Sequence, residues 1–282
     1  MISKKLILPV LFVLSLAAAT AFPQTGPLLK RTTYKTDHLD FGVGGTLSIT
    51  GAPKGSIRIE GWAKREIEIS AVIEVQADTE QNLKRLSEIT TFATEESLGR
   101  TGIISLGVND KGYLKQLDKK VPKALRAMPF RIDYVIKVPQ YCDLQIDGGD
   151  GDLTISGVEG TFKLNYLKTN ARIELIGGST TATFGSGTVD LTIPSAKWRG
   201  RFADIQLADG TLNLNLPPGI NAEIDANILR TGTIDNTFVG LVPRSRKIAF
   251  TERSIAAKAG VGGISLKFSV GDGKLTIAQA KP

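Results

Sequence analysis

"LQIDGGDGDLTISGVEGTFKLN", Leu144 to Asn165, places the apolar pairs Leu144/Ile146, Leu153/Ile155 and Phe162/Leu164 nine residues apart. Within each pair the apolar residues are two apart, the spacing of a strand with one buried face. Between the first two pairs lie Asp147, Asp150 and Asp152 with Gly148, Gly149 and Gly151. Such crowding suggests a calcium loop, a catalytic acid pair or a turn. The β-roll calcium repeat, aligned on Gly148, puts Leu153 where a liganding Asp is needed, and flanking strands exclude the helix-loop-helix calcium loop. A glycosidase pair needs opposed carboxylates about a scissile bond, and the aromatics that usually line such a cleft make up only 6% of residues, with Trp62 and Trp198 both remote in sequence. The stretch therefore reads as a tight corner, where glycine supplies positive φ and Asp bonds to nearby backbone.

The same rhythm continues outward. Ile173/Leu175, Ala182/Phe184, Val189/Leu191, Ile205/Leu207 and Leu212/Leu214 follow, and Gly151-Asp152, Gly160-Thr161, Gly187-Thr188 and Gly210-Thr211 precede several of the pairs. Recurrence at this spacing predicts an all-β fold, a β-solenoid-like stack of short strands in which two units, roughly 18 to 20 residues, make one coil. A β-sandwich is the alternative. Upstream, Thr46–Ile49, Ser56–Ile59 and Glu66–Val72 alternate in the same way. One short helix interrupts them. Asp78 as N-cap, Gln81 three residues on, and Leu83, Leu86 and Ile89 at helical spacing predict a helix from about Thr79 to Thr91. Asn109 to Pro129 is polar and Lys-rich, and is expected to project as a loop or short helix between strands near 103–108 and 130–138. The organisation expected is a leader at 1–21, an N-terminal β region at 22–138, and a repetitive region at 139–282 continuous with it. The N-terminal strands and the helix would cap one end of the stack, and "GKLTIAQAKP" would blunt the other.

The leader is read from Lys4 and Lys5, the apolar run Leu6–Ala19 and the small-x-small Ala19-Thr20-Ala21, which together resemble a secretory signal peptide. No apolar stretch of about 18 residues follows it, so no transmembrane segment is expected after cleavage. The expected location is the periplasm or the extracellular surface. The net charge is +7, or +5 without Lys4 and Lys5. This mild excess does not imply nucleic acid. Bases cluster at Lys119, Lys120, Lys123 and Arg126, at Lys197, Arg199 and Arg201, and at Arg244, Arg246 and Lys247. The first two groups are the candidate ligand-binding residues, for an anionic glycan or an envelope lipid, with an envelope protein as the other candidate partner.

Catalytic and cofactor chemistry finds few residues. Cys142 is the only cysteine, so no internal disulfide forms, and at the edge of an alternating run it is expected to be buried. His38 is the only histidine, placed before the first strand, with no nucleophile elbow around it. Two such residues cannot make a usual zinc site. Gly42-Val43-Gly44-Gly45 lacks the spacing and ending of a nucleotide loop. No cofactor, metal or catalytic residue is expected.

At "FRIDYVIKVPQYCDLQIDGGDGDLTISGVEG", Phe130 to Gly160, the chain resembles the bacterial putative adhesin family. The common features are a strand ending in Val138-Pro139, a Leu-x-Ile pair, a Gly/Asp corner, another apolar pair and Gly-Val-x-Gly. Similar stretches are Gly55–Ala71, Leu214–Asp235 and Gly262–Ile277. The resemblance implies an adhesin-like β-solenoid domain and supplies no catalytic residues. The expected function is an exported, non-enzymatic adhesin-like binding module of the cell envelope or surface. The alternatives are a polysaccharide-acting β-helix enzyme and a structural or signalling partner of an envelope protein.

Overall fold

The computed structural model describes residues 27–117, 121–247 and 249–280. The expected leader, Lys119 and Lys120 lie outside the described residues. The protein is all-β, with sixteen strands in one hydrogen-bonded sheet among the described residues. First come β1 (Leu29–Asp40), β2 (Thr46–Thr50), β3 (Ile57–Trp62) and β4 (Glu66–Ala77), followed by helix α1 (Glu80–Ile89). β5 (Thr91–Ser97) and β6 (Arg100–Leu106) form a hairpin. After them come α2 (Lys111–Gln116), a 3-10 turn at Lys123–Ala127 and β7 (Phe130–Pro139). The remainder is β8 (Asp143–Asp150), β9 (Leu153–Ser156), β10 (Gly160–Glu174), β11 (Gly177–Thr192), β12 (Arg199–Leu216), β13 (Ala222–Asn236), β14 (Leu241–Pro243), β15 (Ser254–Ala259) and β16 (Ile264–Gln279).

The repeat of apolar pairs becomes a parallel, in-register stack. Leu164 stands opposite Ala182, an offset of 18 residues, and Ala182 stands opposite Ile205, an offset of 23. Two ladders share β10, β11, β12, β16 and β13. One continues from the first half of β10 through β8 and β2 to β6; the other runs from its second half through β9, β3 and β7 to β4. The strands are therefore long, 15 to 18 residues from β10 to β12 and in β13 and β16, where short ones are expected from sequence. Each carries two apolar runs because the inside–outside alternation slips midway. In β10, Tyr166 is buried, Leu167 and Lys168 are both exposed, and Thr169 is buried again. Such a slip turns the strand, so that both halves face one interior.

Glycine makes the turn possible. Gly187, Gly210, Gly273 and Gly232 stack at one register position with φ between 127° and 135°. A Cβ on any of them would lie 1.7 to 2.0 Å from the carbonyl oxygen of the adjoining rung. Beneath this line the core is built of columns, Ile49–Ile146–Leu164–Ala182–Ile205–Phe268 from one ladder and Ile59–Ile155–Ile173–Leu191–Leu214–Ile277 from the other, all within one cluster. Each buried aliphatic side chain contributes about 1.5–3 kcal/mol.

Other elements pack at the two ends. α1 begins at Thr79, whose Oγ1 accepts the Asn82 N–H at 3.2 Å; Asp78, the expected cap, instead accepts from the Asn82 amide at 2.7 Å. Leu83, Leu86 and Ile89 pack with Val75, Ala77, Val108, Leu114 and Leu125 into a second cluster. The described parts of this segment, 109–117 and 121–129, are thus folded in through Leu114 and Leu125, which its polar composition conceals. At the far end, β16 inserts between β12 and β13, so "GKLTIAQ" lies inside the sheet and does not blunt it. β15, β14 and residues 251–254 cover β13. Ile234 N–H reaches Glu252 O at 2.7 Å, the Arg253 side chain caps Arg230 O, and Arg230 Nε binds Asp272 at 2.7 Å.

Candidate binding surface

The Asp/Gly stretch is mostly strand. Asp147 accepts from the Asn165 amide at 2.8 Å and Asp152 from that of Asn170 at 3.2 Å, each 18 residues on and one rung away. Asp190 and Asn213 repeat the arrangement at 2.7 Å. These aspartates join successive rungs of the stack. The glycines correct the expectation of positive φ, since 148, 149 and 151 are not among the left-handed glycines. They are required by close approach: a Cβ would lie 2.1 Å from the Tyr166 ring at 148, 2.3 Å from Pro53 O at 149, and 2.0 Å from Gly55 O at 151. Asp150 and Asp152 line a small cleft of about 320 Å³ with Lys54, Ser56 and Arg131. Arg131 is engaged by Asp133 at 2.7 Å, and Asp133 also accepts from the Ser56 N–H and hydroxyl at 2.8 Å. Burial opposes the Asp133 carboxylate, yet Arg131 and the two Ser56 bonds outweigh it and hold its pKa below the usual range. Among the described residues no three of His, Cys, Asp and Glu converge as a metal site.

Cys142 is buried, and burial pushes its thiol up to about 12. His38 lies within β1, exposed, and not ahead of the first strand.

Of the candidate ligand residues, Lys123 and Arg126 are exposed on the 3-10 turn beside the second cluster, with Leu125 buried between them. Lys197 lies in the connection between β11 and β12 and Arg199 and Arg201 in the first residues of β12, all exposed. The local reason is Trp198. Its indole is buried, and a Cβ on Gly200 would lie 2.0 Å from the ring, so the flanking Lys197 and Arg199 face solvent. Arg201 is the extra residue where the register slips, Gly200 pairing with Gly178 and Phe202 with Ser179. Phe202 is 40% exposed and gives the cations an aromatic neighbour. None of these five side chains forms an ion pair among the described residues. Arg244, by contrast, is engaged by Asp225 and, at 3.7 Å, by Glu223. No hydrogen bond or ion pair joins the Lys123/Arg126 group to the Lys197–Arg201 group among the described residues, and the two belong to different elements, the 3-10 turn and the β11–β12 connection with the start of β12.

A larger cleft, about 630 Å³, lies between the Gly42–Gly45 turn and the β5–β6 hairpin. Asp40, Glu96 and Arg100 line it, and Val43 and Leu98 stand exposed at its rim. Sequence reasoning passed over it, testing the glycines only as a nucleotide loop. The available signal was an aliphatic residue isolated within each of two glycine turns.

No family model and no curated protein matches the chain. Among solved structures, it is similar to a putative cell adhesion protein from Clostridium sporogenes, with 16% identity over 88% of this chain and all of that one, and a TM-score of 0.48. It is also similar to a putative adhesin from Bacteroides fragilis, with 12% identity over 87% and 97% of the two chains and a TM-score of 0.40. A putative lipid binding protein from Parabacteroides distasonis shows 11% identity over 88% and 95%, with a TM-score of 0.24.

Proposed function

We propose that the protein is an exported, non-enzymatic binding module of the cell envelope that holds an anionic glycan or lipid headgroup at Lys197, Arg199 and Arg201. The observation carrying this reading is three exposed cations without carboxylate partners among the described residues, held outward by a buried Trp198 and bordered by Phe202. A structural role would favour pairing them, as Arg244 is paired. Lys123 and Arg126 form the secondary patch. The leader-like sequence at residues 1–21 and the adhesin resemblance support the envelope as the place of action. The test is retention of the purified protein on an acidic polysaccharide and on anionic vesicles as salt is raised, with reducing ends assayed in the same tubes. Salt-sensitive retention without new reducing ends supports the reading, and which matrix retains the protein separates glycan from lipid. Release of reducing ends replaces it with the polysaccharide-acting enzyme.

A further inference from the structure

β1 is a twelve-residue edge. It pairs in unbroken antiparallel register with β4, and no strand lies on its other side among the described residues. The Phe41 N–H continues the β4 side at 3.1 Å from Arg65 O, so odd-numbered residues bond inward. The His38 N–H turns away and is taken by Asp37 Oδ1 at 3.0 Å. The backbone groups of Lys30, Thr32, Tyr34, Thr36 and His38 therefore face outward. Edges are ordinarily blunted by shortness, charge, proline, bulges or cover. β1 carries the charges Lys30, Arg31, Lys35 and Asp37, which pairing about Tyr34 sets opposite partners other than like charges. β1 has no proline and no bulge, and Tyr34 at its centre is 79% exposed.

This edge complements itself. With two copies antiparallel about an axis through Tyr34, Lys30 meets His38, Thr32 meets Thr36, and Tyr34 meets Tyr34 of the second copy in the outward, bond-exchanging positions. Between them Arg31 falls opposite Asp37 and Leu29 opposite Leu39, each twice by symmetry. Neighbouring registers are worse. An axis through Lys35 sets that lysine against itself, and an axis through Thr33 sets Arg31 against Lys35. Of the present partners, Glu80 forms a solvent-facing pair with Arg31 that constrains little, whereas Lys30 reaches the mostly buried Glu74 and Asp37 accepts from the Thr94 hydroxyl and the His38 N–H. We propose that β1 is a homodimer edge, joining two copies by antiparallel β1–β1 pairing centred on Tyr34. The proposal rests on β1 alone and is independent of the ligand reading.

The register gives the test. Across the axis the two residues 34 would have Cα atoms about 5.5 Å apart, within disulfide reach of about 4.4–6.8 Å. The two residues 32 would be about 13 Å apart at roughly 3.3 Å per residue. Mild oxidation should link Tyr34→Cys into dimers and leave Thr32→Cys unlinked, the native Cys142 being buried. Tyr34→Pro removes an outward N–H and none that bonds β4, so circular dichroism and thermal unfolding should hold while the solution mass falls from twice the chain mass to one. A wild-type monomer at every concentration, equal linking of both cysteines, or a dimer that survives Tyr34→Pro in a folded protein overturns the proposal.

Discussion

At residue scale the glycine line at the turn is the most constrained feature. Gly210 carries φ 132° and would place a Cβ 2.0 Å from Gly187 O, whereas Gly219 has φ 77° with nothing within 4 Å. Gly219→Ala should cost only the backbone penalty, about 1–2 kcal/mol. Gly210→Ala adds a backbone collision in the stack and should cost more than about 3 kcal/mol, read as the difference in urea midpoints. Asp272 gives a pH prediction. Arg230, and next Thr231, hold its carboxyl down to about 2 from an ordinary 3.8. A lowered folded-state pKa stabilises fully above the unfolded value and is lost as pH falls toward the folded one. The thermal stability of wild type over Asp272→Asn should therefore be constant above that ordinary value and shrink between about pH 4 and about pH 2. An unchanged gap across that interval would show that the Arg230 contact does not depend on ionised Asp272.

At element scale the helix was legible because its signal is local. Leu83, Leu86 and Ile89 form one stripe, all buried; the cap moved by one residue, and the helix ends at Ile89, short of the expected Thr91, which opens β5. Leu86→Ala should cost about 2–5 kcal/mol, against within about 0.5 kcal/mol for the exposed Lys84→Ala, both measured by denaturant unfolding. The apolar pairs were legible for the same reason, but they read as separate short strands. From β10 through β12 to β16 backbone pairing keeps one register across the turn, with a single unpaired position at Leu167, Gly185, Ala208 and Gly271, while side-chain alternation, the only trace visible in sequence, breaks there. β1 was missed because "LKRTTYKTDHLD" has no alternating apolar set: it is held by its backbone bonds to β4. The insertion of β16 between β12 and β13 depends on pairings such as Ala203 with Leu266, and no local residue records it.

At the scale of the whole molecule, burial and exposure divide the labour. The inward columns and the second cluster account for packing, so the side chains left exposed at rung connections are free to vary in chemistry. The basic residues around Trp198 were visible as a cluster. Their exposure was not, because it depends on which way the indole turns and on the register slip at Arg201. The Asp-rich stretch shows the converse: conspicuous in sequence, it serves to join rungs through Asn165 and Asn170.

The most direct test of the binding account is the salt dependence of retention on an acidic polysaccharide and on anionic vesicles for wild type beside Arg199→Glu/Arg201→Glu. Both positions are exposed and without an ion pair among the described residues, so the variant should unfold at the wild-type midpoint. Retention of the wild type should decline steadily with salt, and the variant should elute at low salt from whichever matrix holds the wild type. Identical elution of the two proteins, or wild-type retention indifferent to salt, would contradict the account.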